Sequence, residues 1–395
     1  MARAREADPV RCTSLSLVNF RNYRRLDVAF DRLNVLVGDN GQGKSNIIEA
    51  LHLLATTRSG RSNLERDVIN WDSAGEAAFA RLSARVDRAA GPVRLEMVIA
   101  ESPRAENAAP VTSKRYRVDG VSRRAVDVIG QVKVVVFTPR DVELVAGPPA
   151  ERRRYFDVLL AQIDPRYARA FARYARVVTQ RNGLLRLIRE RGARADQLAV
   201  WSQELVNTGS YLLYRRIVAA RAITGLAREA HRRVVDDRET LSLGYQTTIG
   251  IQEHASSDLS DVAGAFARAI EKAHDREIQA GQSLVGPHRD ELRLELNGRS
   301  AAAHASRGQQ RAIALSLRIA EAAYIREQSL DWPILLLDDV MSELDARRRE
   351  RVLVSIGDDQ QVILTSTDRE VLEPSFLARA LVYDVRDATL LPSVS

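Results

Sequence analysis

Alternation of apolar and polar residues dominates the first third of the chain. Leu15 and Leu17 alternate with polar neighbours, Val28 and Phe30 do the same, and residues 79–86, 93–100 and 114–119 repeat the pattern. A period of two puts one face of a strand into a core, so these segments predict antiparallel strands around a Pro/Ala-rich loop at 103–110. Residues 33–37 and 132–137 are different: each is a short, almost purely apolar run, as expected of a strand covered on both faces. Ile47, Ile48, Leu51 and Leu54 recur at helical spacing and predict a helix over 46–55.

Near Gly147-Pro148-Pro149 the pattern changes, and from residue 150 to about 280 the periodicity is helical, with polar loops at 191–197 and 253–261. Strands return after Gly286, where Leu292, Leu294 and Leu296 alternate towards an Asn297-Gly298 turn, a hairpin signal. A helix is expected over 306–328 and buried strands over 334–337 and 361–365. There is no internal repeat and no sustained heptad pattern. The domain plan that follows is a loose tail at 1–12, a discontinuous lobe from 13–149 and 286–395, and an inserted, mainly helical lobe at 150–285.

Composition narrows the class of function. The chain has 395 residues, with 59 Lys+Arg against 52 Asp+Glu, a balance that favours a polyanionic partner. Cys12 is the one cysteine, so neither a disulfide framework nor a thiolate metal site is expected. No run approaches the ~18 apolar residues of a membrane span, and residues 1–11 lack the apolar core of a signal peptide. The expectation is a cytoplasmic protein with no membrane contact.

Gly38-Asp39-Asn40-Gly41-Gln42-Gly43-Lys44-Ser45 follows an apolar strand and opens a helix, with Asn46 next. This is a phosphate-binding (Walker A) loop: backbone N–H groups wrap the phosphates, Lys44 reaches the β- and γ-phosphates, and the Ser45 hydroxyl ligates Mg²⁺. The helix start also directs a positive dipole end at the anion. Asp338 and Asp339 end the apolar run 334–337. Asp338 is expected to hold Mg²⁺, and Asp339 to orient or deprotonate the attacking water. Lys44, Asp338 and Asp339 are the candidate catalytic groups, with ATP and Mg²⁺ as cofactors.

Ser306-Arg307-Gly308-Gln309-Gln310 opens a helix about 28 residues before that carboxylate pair, and Ser342-Glu343-Leu344-Asp345 follows the pair. The first segment offers a hydroxyl, glycine N–H groups and a helix dipole to a γ-phosphate. A second phosphate pole in one chain points to a signature segment that faces the phosphate loop of a second copy, with Ser342 and Asp345 as candidate D-loop residues. The fold class expected is α/β, an ABC-type (SMC-head-like) P-loop ATPase lobe with an inserted helical lobe.

The chain resembles the RecF family, ATPases related to SMC heads. The resemblance rests on Asn19-Phe20-Arg21-Asn22-Tyr23, the phosphate loop, Phe137-Thr138-Pro139, Glu151-Arg152-Arg153-Arg154, Gln180-Arg181-Asn182, Gly286-Pro287-His288-Arg289-Asp290, residues 306–310 and residues 335–345, in that order. It implies an ATP-dependent DNA-binding homodimer with slow ATPase activity, working at single-strand gaps and duplex junctions. It further implies a RecR partner and, through it, RecO and the loading of RecA. The alternatives are the head ATPase of another SMC-like system or of a transporter.

Two departures from the wider ABC pattern bear on turnover. The strand 132–137 has no glutamine at its end, only Gln131 before it, and Thr365-Ser366-Thr367-Asp368 stands where many ABC ATPases place a histidine. With Asp339 where a glutamate is common elsewhere, slow hydrolysis is expected. Secondary candidates are Thr367, Arg21, Arg61 and His288. Arg21 reads either as a nucleotide contact or as a brace at the sheet edge; Arg58 and Arg61 read as contacts to phosphate or to the opposing subunit, or as solvated arginines; His288 reads as a contact to nucleotide, DNA or a buried carboxylate, or as a structural histidine.

Ten arginines lie in 151–190, whereas only Asp157 and Asp164 separate Glu151 from Glu190 among the acids. Local pairing cannot absorb so many, so this helical unit is the expected DNA-binding region, with Arg152, Arg153, Arg154, Arg176 and Arg181 as candidate phosphate contacts.

Overall fold

The computed structural model describes residues 10–62, 64–73, 78–101, 111–192, 194–235, 239–251, 258–355 and 359–393. They pack as two units: the chain up to Asp141 together with the chain from Glu321 onward, and Val142–Ala320.

In the first unit two six-stranded sheets enclose a helix. The antiparallel sheet, in order β2-β1-β4-β5-β6-β7, is built from β1 (Arg11–Phe20), β2 (Tyr23–Ala29), β4 (Phe79–Asp87), β5 (Val93–Glu101), β6 (Thr112–Val118) and β7 (Val121–Arg123). The other sheet, in order β15-β14-β3-β13-β12-β8, is formed by β3 (Leu33–Val37), β8 (Val134–Phe137), β12 (Ile334–Asp338), β13 (Val362–Ser366), β14 (Leu381–Arg386) and β15 (Thr389–Pro392). All neighbours in it are parallel except β14 and β15. Every residue of β3, β12 and β13 is buried, which is why these runs carry no polar alternation.

Helix α1 (Lys44–Thr56) packs against strands of both sheets. Ile47, Ile48, Leu51 and Leu54 are 5% exposed or less, each contributing about 1.5–3 kcal/mol by its burial. The short helices α2 (Ala125–Val128) and α11 (Pro374–Leu377) and the helix α10 (Ala346–Ser355) also belong to this unit. Two residues of the tail expected at 1–12 belong to a strand: Arg11 opens β1, and buried Cys12 exchanges two backbone hydrogen bonds with the Gln361 side chain, at 2.7 and 2.9 Å. Residues 1–9 and the loop expected at 103–110 lie outside the described residues.

The second unit holds α3 (Val142–Ala146), α4 (Pro149–Ile163), α5 (Pro165–Arg191), α6 (Leu198–Val235), α7 (Leu259–Ala280), α8 (Ala301–His304) and the first part of α9 (Arg307–Ser329), which continues into the first unit. Helix starts follow local chemistry. Asp164 accepts from the Arg166 and Tyr167 N–H groups ahead of Pro165, and Asp258 forms a capping box with Asp261.

Helical periodicity reads 150–280 as mostly helix with loops and marks no strand there, yet Leu241–Gln246 is a strand, β9. It pairs with β10 (Glu291–Leu296), which hairpins to β11 (Arg299–Ser300). That pairing is non-local, and it carries residues 286–320 into the second unit instead of the first. The packing boundaries therefore fall at 141/142 and 320/321 rather than at 149/150 and 285/286.

The arginine-rich stretch finds its partners far along the chain. Arg152 pairs with Glu291 at 2.7 Å and also donates to the Gly147 carbonyl, and Arg153 donates to the Asp290 carbonyl. Arg173 pairs with Glu204. Arg181 pairs with Glu277 at 2.6 Å, both side chains fully buried, and also meets Ser202 and Ser283. Arg181 is therefore a core residue and not a DNA contact, and Arg152 and Arg153 are half-buried on protein partners. Arg154 and Arg176 are exposed. Even the two local acids are used elsewhere: Asp157 meets Arg216 and Asp164 meets Arg215.

Arg181→Ala leaves Glu277 as an uncompensated buried carboxylate and is expected to lower the unfolding free energy by about 3–5 kcal/mol. Urea denaturation measures this, and a loss under ~1 kcal/mol would contradict the buried pair.

Candidate nucleotide site

The phosphate loop leaves β3 at Gly38 and enters α1 at Lys44. Gly41 and Gly43 hold φ of 84° and 112°, conformations that L side chains rarely adopt. At Gly43 space forbids a side chain as well, since a Cβ would stand 2.7 Å from both Asn22 Nδ2 and Tyr23 Oη. Asn22 braces the loop by donating to the Gln42 carbonyl (3.1 Å) and accepting from Asn46 Nδ2 (2.8 Å). Gln42 Oε1 accepts from the Asp387 N–H, and the Ala388 N–H reaches the Gln42 carbonyl. The loop is held from three segments of the first unit.

Lys44 Nζ curls back into its own loop, donating to the Gly38 and Asp39 carbonyls. Burial pulls its ammonium below the usual lysine range, opposed by the carboxylates of Asp339, Asp338 and Asp39. An ammonium so placed gains strongly from a polyanion, because further negative charge offsets its desolvation.

Sheet order brings the distant carboxylates to this loop. β13 lies between β3 and β12, with Thr365 opposite both Leu36 and Asp338. Ser45 Oγ donates to Asp338 Oδ1 at 2.6 Å across 293 residues of sequence. Thr365 Oγ1 donates to the same Asp338 oxygen (3.1 Å) and accepts from the Asp339 N–H (2.9 Å). Asp339 has φ 53°, so its side chain leaves the strand line, and Ser342 Oγ donates to its carbonyl (2.8 Å) and to Oδ1 (3.1 Å). Asp345 Oδ1 accepts from the Arg348 N–H at the start of α10, so within this chain it acts as a helix cap.

Among the hydroxyls of residues 365–367, the buried Thr365 is the one that touches both aspartates, through the Asp338 carboxylate and the Asp339 N–H. Thr367 is half-buried further on. Nothing in the local sequence separates Thr365 from Thr367; parallel register does. Arg21, at φ 54°, is bidentate on Glu49 of α1 (2.7 and 3.0 Å) and donates to the Asp67 carbonyl. That is the bracing alternative. Arg61 reaches Asn46 Oδ1 (3.3 Å), beside the loop, and Arg58 is exposed.

In the second unit, Ser306 and Arg307 are exposed at the start of α9. Ser306 Oγ accepts from the Gln309 N–H (3.3 Å) while Gln309 Oε1 accepts from the Ser306 N–H (2.8 Å), a reciprocal cap that keeps the Ser306 hydroxyl hydrogen available. Gln310 Nε2 donates to the Ala305 carbonyl. A cleft of about 320 Å³ beside this turn is lined by Asn297, Arg299, Ser300, His304 and Gln309, among others.

A family model described as RecF/RecN/SMC N terminal domain matches residues 11–387. The DNA replication and repair protein RecF of Roseiflexus castenholzii is 43% identical over 394 residues, covering 96% of this chain and 99% of the relative. RecF of Chloroflexus aggregans is 42% identical over 388 residues, covering 95% and 98%. The chain belongs to the RecF family. A solved structure described as the recombination mediator protein RecF-ATP in the RecFOR pathway matches with a TM-score of 0.86 at 24% identity, covering 100% of both chains. The Smc head domain of Pyrococcus furiosus matches with a TM-score of 0.51 at 15% identity, covering 97% of this chain and 96% of that one. The fold is thus the α/β ABC-type head shared with SMC proteins. No helix among the described residues is long and apolar enough to cross a membrane.

The Gly286–Asp290 motif lies wholly in the second unit as a structural knot. His288 Nδ1 shares a 2.6 Å hydrogen bond with the Tyr174 hydroxyl and Nε2 faces the Ser283 carbonyl (3.2 Å). Asp290 is buried on Tyr245 and Thr248. Burial pushes the His288 imidazole down to about 4, with Arg289, Arg153 and Arg216 adding to the shift against the Ser283 carbonyl. These contacts favour the structural-histidine alternative.

On acidification the unfolded chain takes up this proton near pH 6.5 while the folded chain resists until about pH 4. The stability present above pH 6.5 is therefore lost across that window, by about 1–3 kcal/mol after allowing for partial exposure. His288→Gln should flatten this part of the profile. Urea midpoints from pH 7 to 4.5 test the point, and parallel slopes for the two chains would refute it.

Proposed function

We propose that this chain is an ATP-gated DNA clamp of recombinational repair and replication restart. It acts at single-strand gaps and ss/ds junctions and helps, with RecR and through it RecO, to load RecA. The observation that carries the reading is the Ser45–Asp338 contact, which completes a phosphate site in a chain related to RecF proteins from end to end. In this reading ATP is the substrate and closing ligand, and two copies meet with Ser306 of each at the phosphate loop of the other.

Each residue has a task that its position supports. Gly38 to Asn46 wrap the phosphates, and Lys44 exchanges its loop carbonyls for β- and γ-phosphate oxygens. Mg²⁺ fits Ser45 Oγ and Asp338 Oδ1, hard oxygen donors that already converge, and would supply charge neutralisation to the phosphates. Asp339, steered off the strand by its positive φ and held by Ser342, orients the attacking water. Ser306, Arg307, Gly308, Gln309 and Gln310 present the trans γ-phosphate contact at the start of α9. An aspartate base and hydroxyls in the sensor position give slow turnover, so binding closes the clamp and hydrolysis opens it. The setting is the cytoplasm.

DNA contact falls to the exposed arginines of the helical unit, with Arg154 and Arg176 retained from the sequence candidates. Such contacts are sequence-independent and salt-dependent: Arg154→Ala and Arg176→Ala should each reduce the slope of log K against log salt by about 1. Binding to gapped, blunt and single-stranded DNA with ATP, ADP or no nucleotide measures this, and equal binding in the three nucleotide states removes the clamp.

Sedimentation velocity with and without ATP tests the gate directly. ATP should convert monomer to dimer. Lys44→Met should abolish the conversion, and Ser306→Arg should block it while sparing nucleotide binding. A wild-type chain that stays monomeric sinks the reading.

A further inference from the structure

The exposed turn that presents Ser306 is tied into its unit by a chain of polar side chains. Gln309 uses both ends of its amide: Oε1 accepts from the Ser306 N–H (2.8 Å) and Nε2 donates to Glu239 Oε1 (2.9 Å). Glu239 Oε2 lies 3.2 Å from His231 Nε2, and His231 Nδ1 lies 3.1 Å from Ser316 Oγ. His231, near the end of α6, and Ser316, on α9, are fully buried.

Hydrogen-bond roles give the chain a direction. Ser316 Oγ donates its one hydrogen to the Ala312 carbonyl at 2.7 Å, so it can only accept from His231. A carboxylate oxygen likewise accepts. Both imidazole nitrogens therefore face oxygen partners, Glu239 Oε2 and Ser316 Oγ. The His231 ring thereby holds Glu239 Oε2, leaving the second carboxylate oxygen turned to Gln309.

We propose that Glu239 is a positioning residue for the signature segment: through Gln309 it fixes the Ser306 turn at the geometry a phosphate oxygen needs, with His231 as its anchor. The inference rests on the signature reading above. Its physical basis is that Ser306 and Arg307 are exposed, so the Gln309 side chain adds to the backbone bond from the Gln310 N–H to the Ser306 carbonyl in fixing the turn. Without Glu239, Gln309 regains rotamer freedom and the Ser306 N–H loses its steady acceptor.

Full-length Glu239→Ala, Glu239→Gln, Gln309→Ala and the Glu239→Ala/Gln309→Ala double variant test the proposal, with ATP-dependent dimerisation followed by sedimentation. Glu239→Ala should weaken dimerisation by about tenfold, on the scale of one lost buried hydrogen bond, while the monomer's affinity for a fluorescent ATP analogue is unchanged. Glu239→Gln should restore most of the loss, since its amide oxygen still accepts from Gln309 and its amide hydrogens can face a singly protonated His231. The double variant should be no worse than Gln309→Ala alone. Additive losses, or equal losses in the Ala and Gln variants with intact melting curves, would overturn the proposal.

Hydrogen exchange on the nucleotide-free monomer gives an independent reading. Protection of the amides of residues 306–310 should fall in Glu239→Ala, with α1 unaffected; unchanged exchange overturns the proposal too. If the wild type stays monomeric with ATP while exchange responds as expected, the clamp reading fails and the positioning role stands.

Discussion

A hydroxyl and a carboxylate 293 residues apart meet at 2.6 Å, and the arrangement of the first unit follows from making that meeting possible. Ser45 has to stand at the N-terminus of α1, and Asp338 at the C-terminal end of β12. Both conditions hold because β3, β13 and β12 are adjacent and parallel, so all three strands end on the same edge. The intervening strand adds Thr365, whose hydroxyl donates to the Asp338 carboxylate and accepts from the Asp339 N–H. A parallel sheet needs cover on both faces, and α1 lies on one of them, backed by the antiparallel sheet. The helix that presents its dipole to phosphate is thereby also part of the core, which keeps the loop in place. Arg21 and Glu49 repeat the logic at smaller scale: a buried carboxylate on α1 is covered by a guanidinium from the β1–β2 turn and by the Ser59 hydroxyl.

The second unit shows how far composition can mislead about surface. Its first two long helices are dense in arginine, but three-dimensional pairing brings acids from α6, α7 and β10 to them. Arg181 and Arg216 end up among the largest fully buried side chains. Counting neighbours along a helix registers only partners within a turn or so, whereas ion pairs in a helical bundle cross between helices. The arginine surface of the unit is therefore smaller than the sequence displays, and Arg154 and Arg176 are the exposed members of the candidate set.

The same unit builds polar networks with different jobs. Around Asp290 the groups are buried and mutually satisfied, tying α5 and α6 to the Gly286–Asp290 turn, so a motif that carries family resemblance has a structural task. Around Glu239 the network runs outwards instead, ending on exposed Ser306. A network that starts on a fully buried histidine and stops at a solvent-facing helix start transmits order from core to surface, and that distinguishes positioning from mere packing.

Local rules determined much of this protein from sequence alone: the phosphate loop between a strand and a helix, the carboxylate pair at a buried strand's end, the capped helix start at Ser306, the hairpin at Asn297-Gly298, and through their order the RecF resemblance. Each depends on neighbours within about ten residues, so each is written in a short window. Tertiary structure alone decided that 241–246 is a strand, that 286–320 joins the helical unit, that Thr365 rather than Thr367 meets the Asp338 carboxylate and the Asp339 N–H, that Arg181 is core, and that Glu239 bonds Gln309. These outcomes depend on sheet register and on ion pairs between segments roughly 25 to 140 residues apart. Such pairings are chosen by burial and charge balance over the whole fold, and no local pattern encodes them.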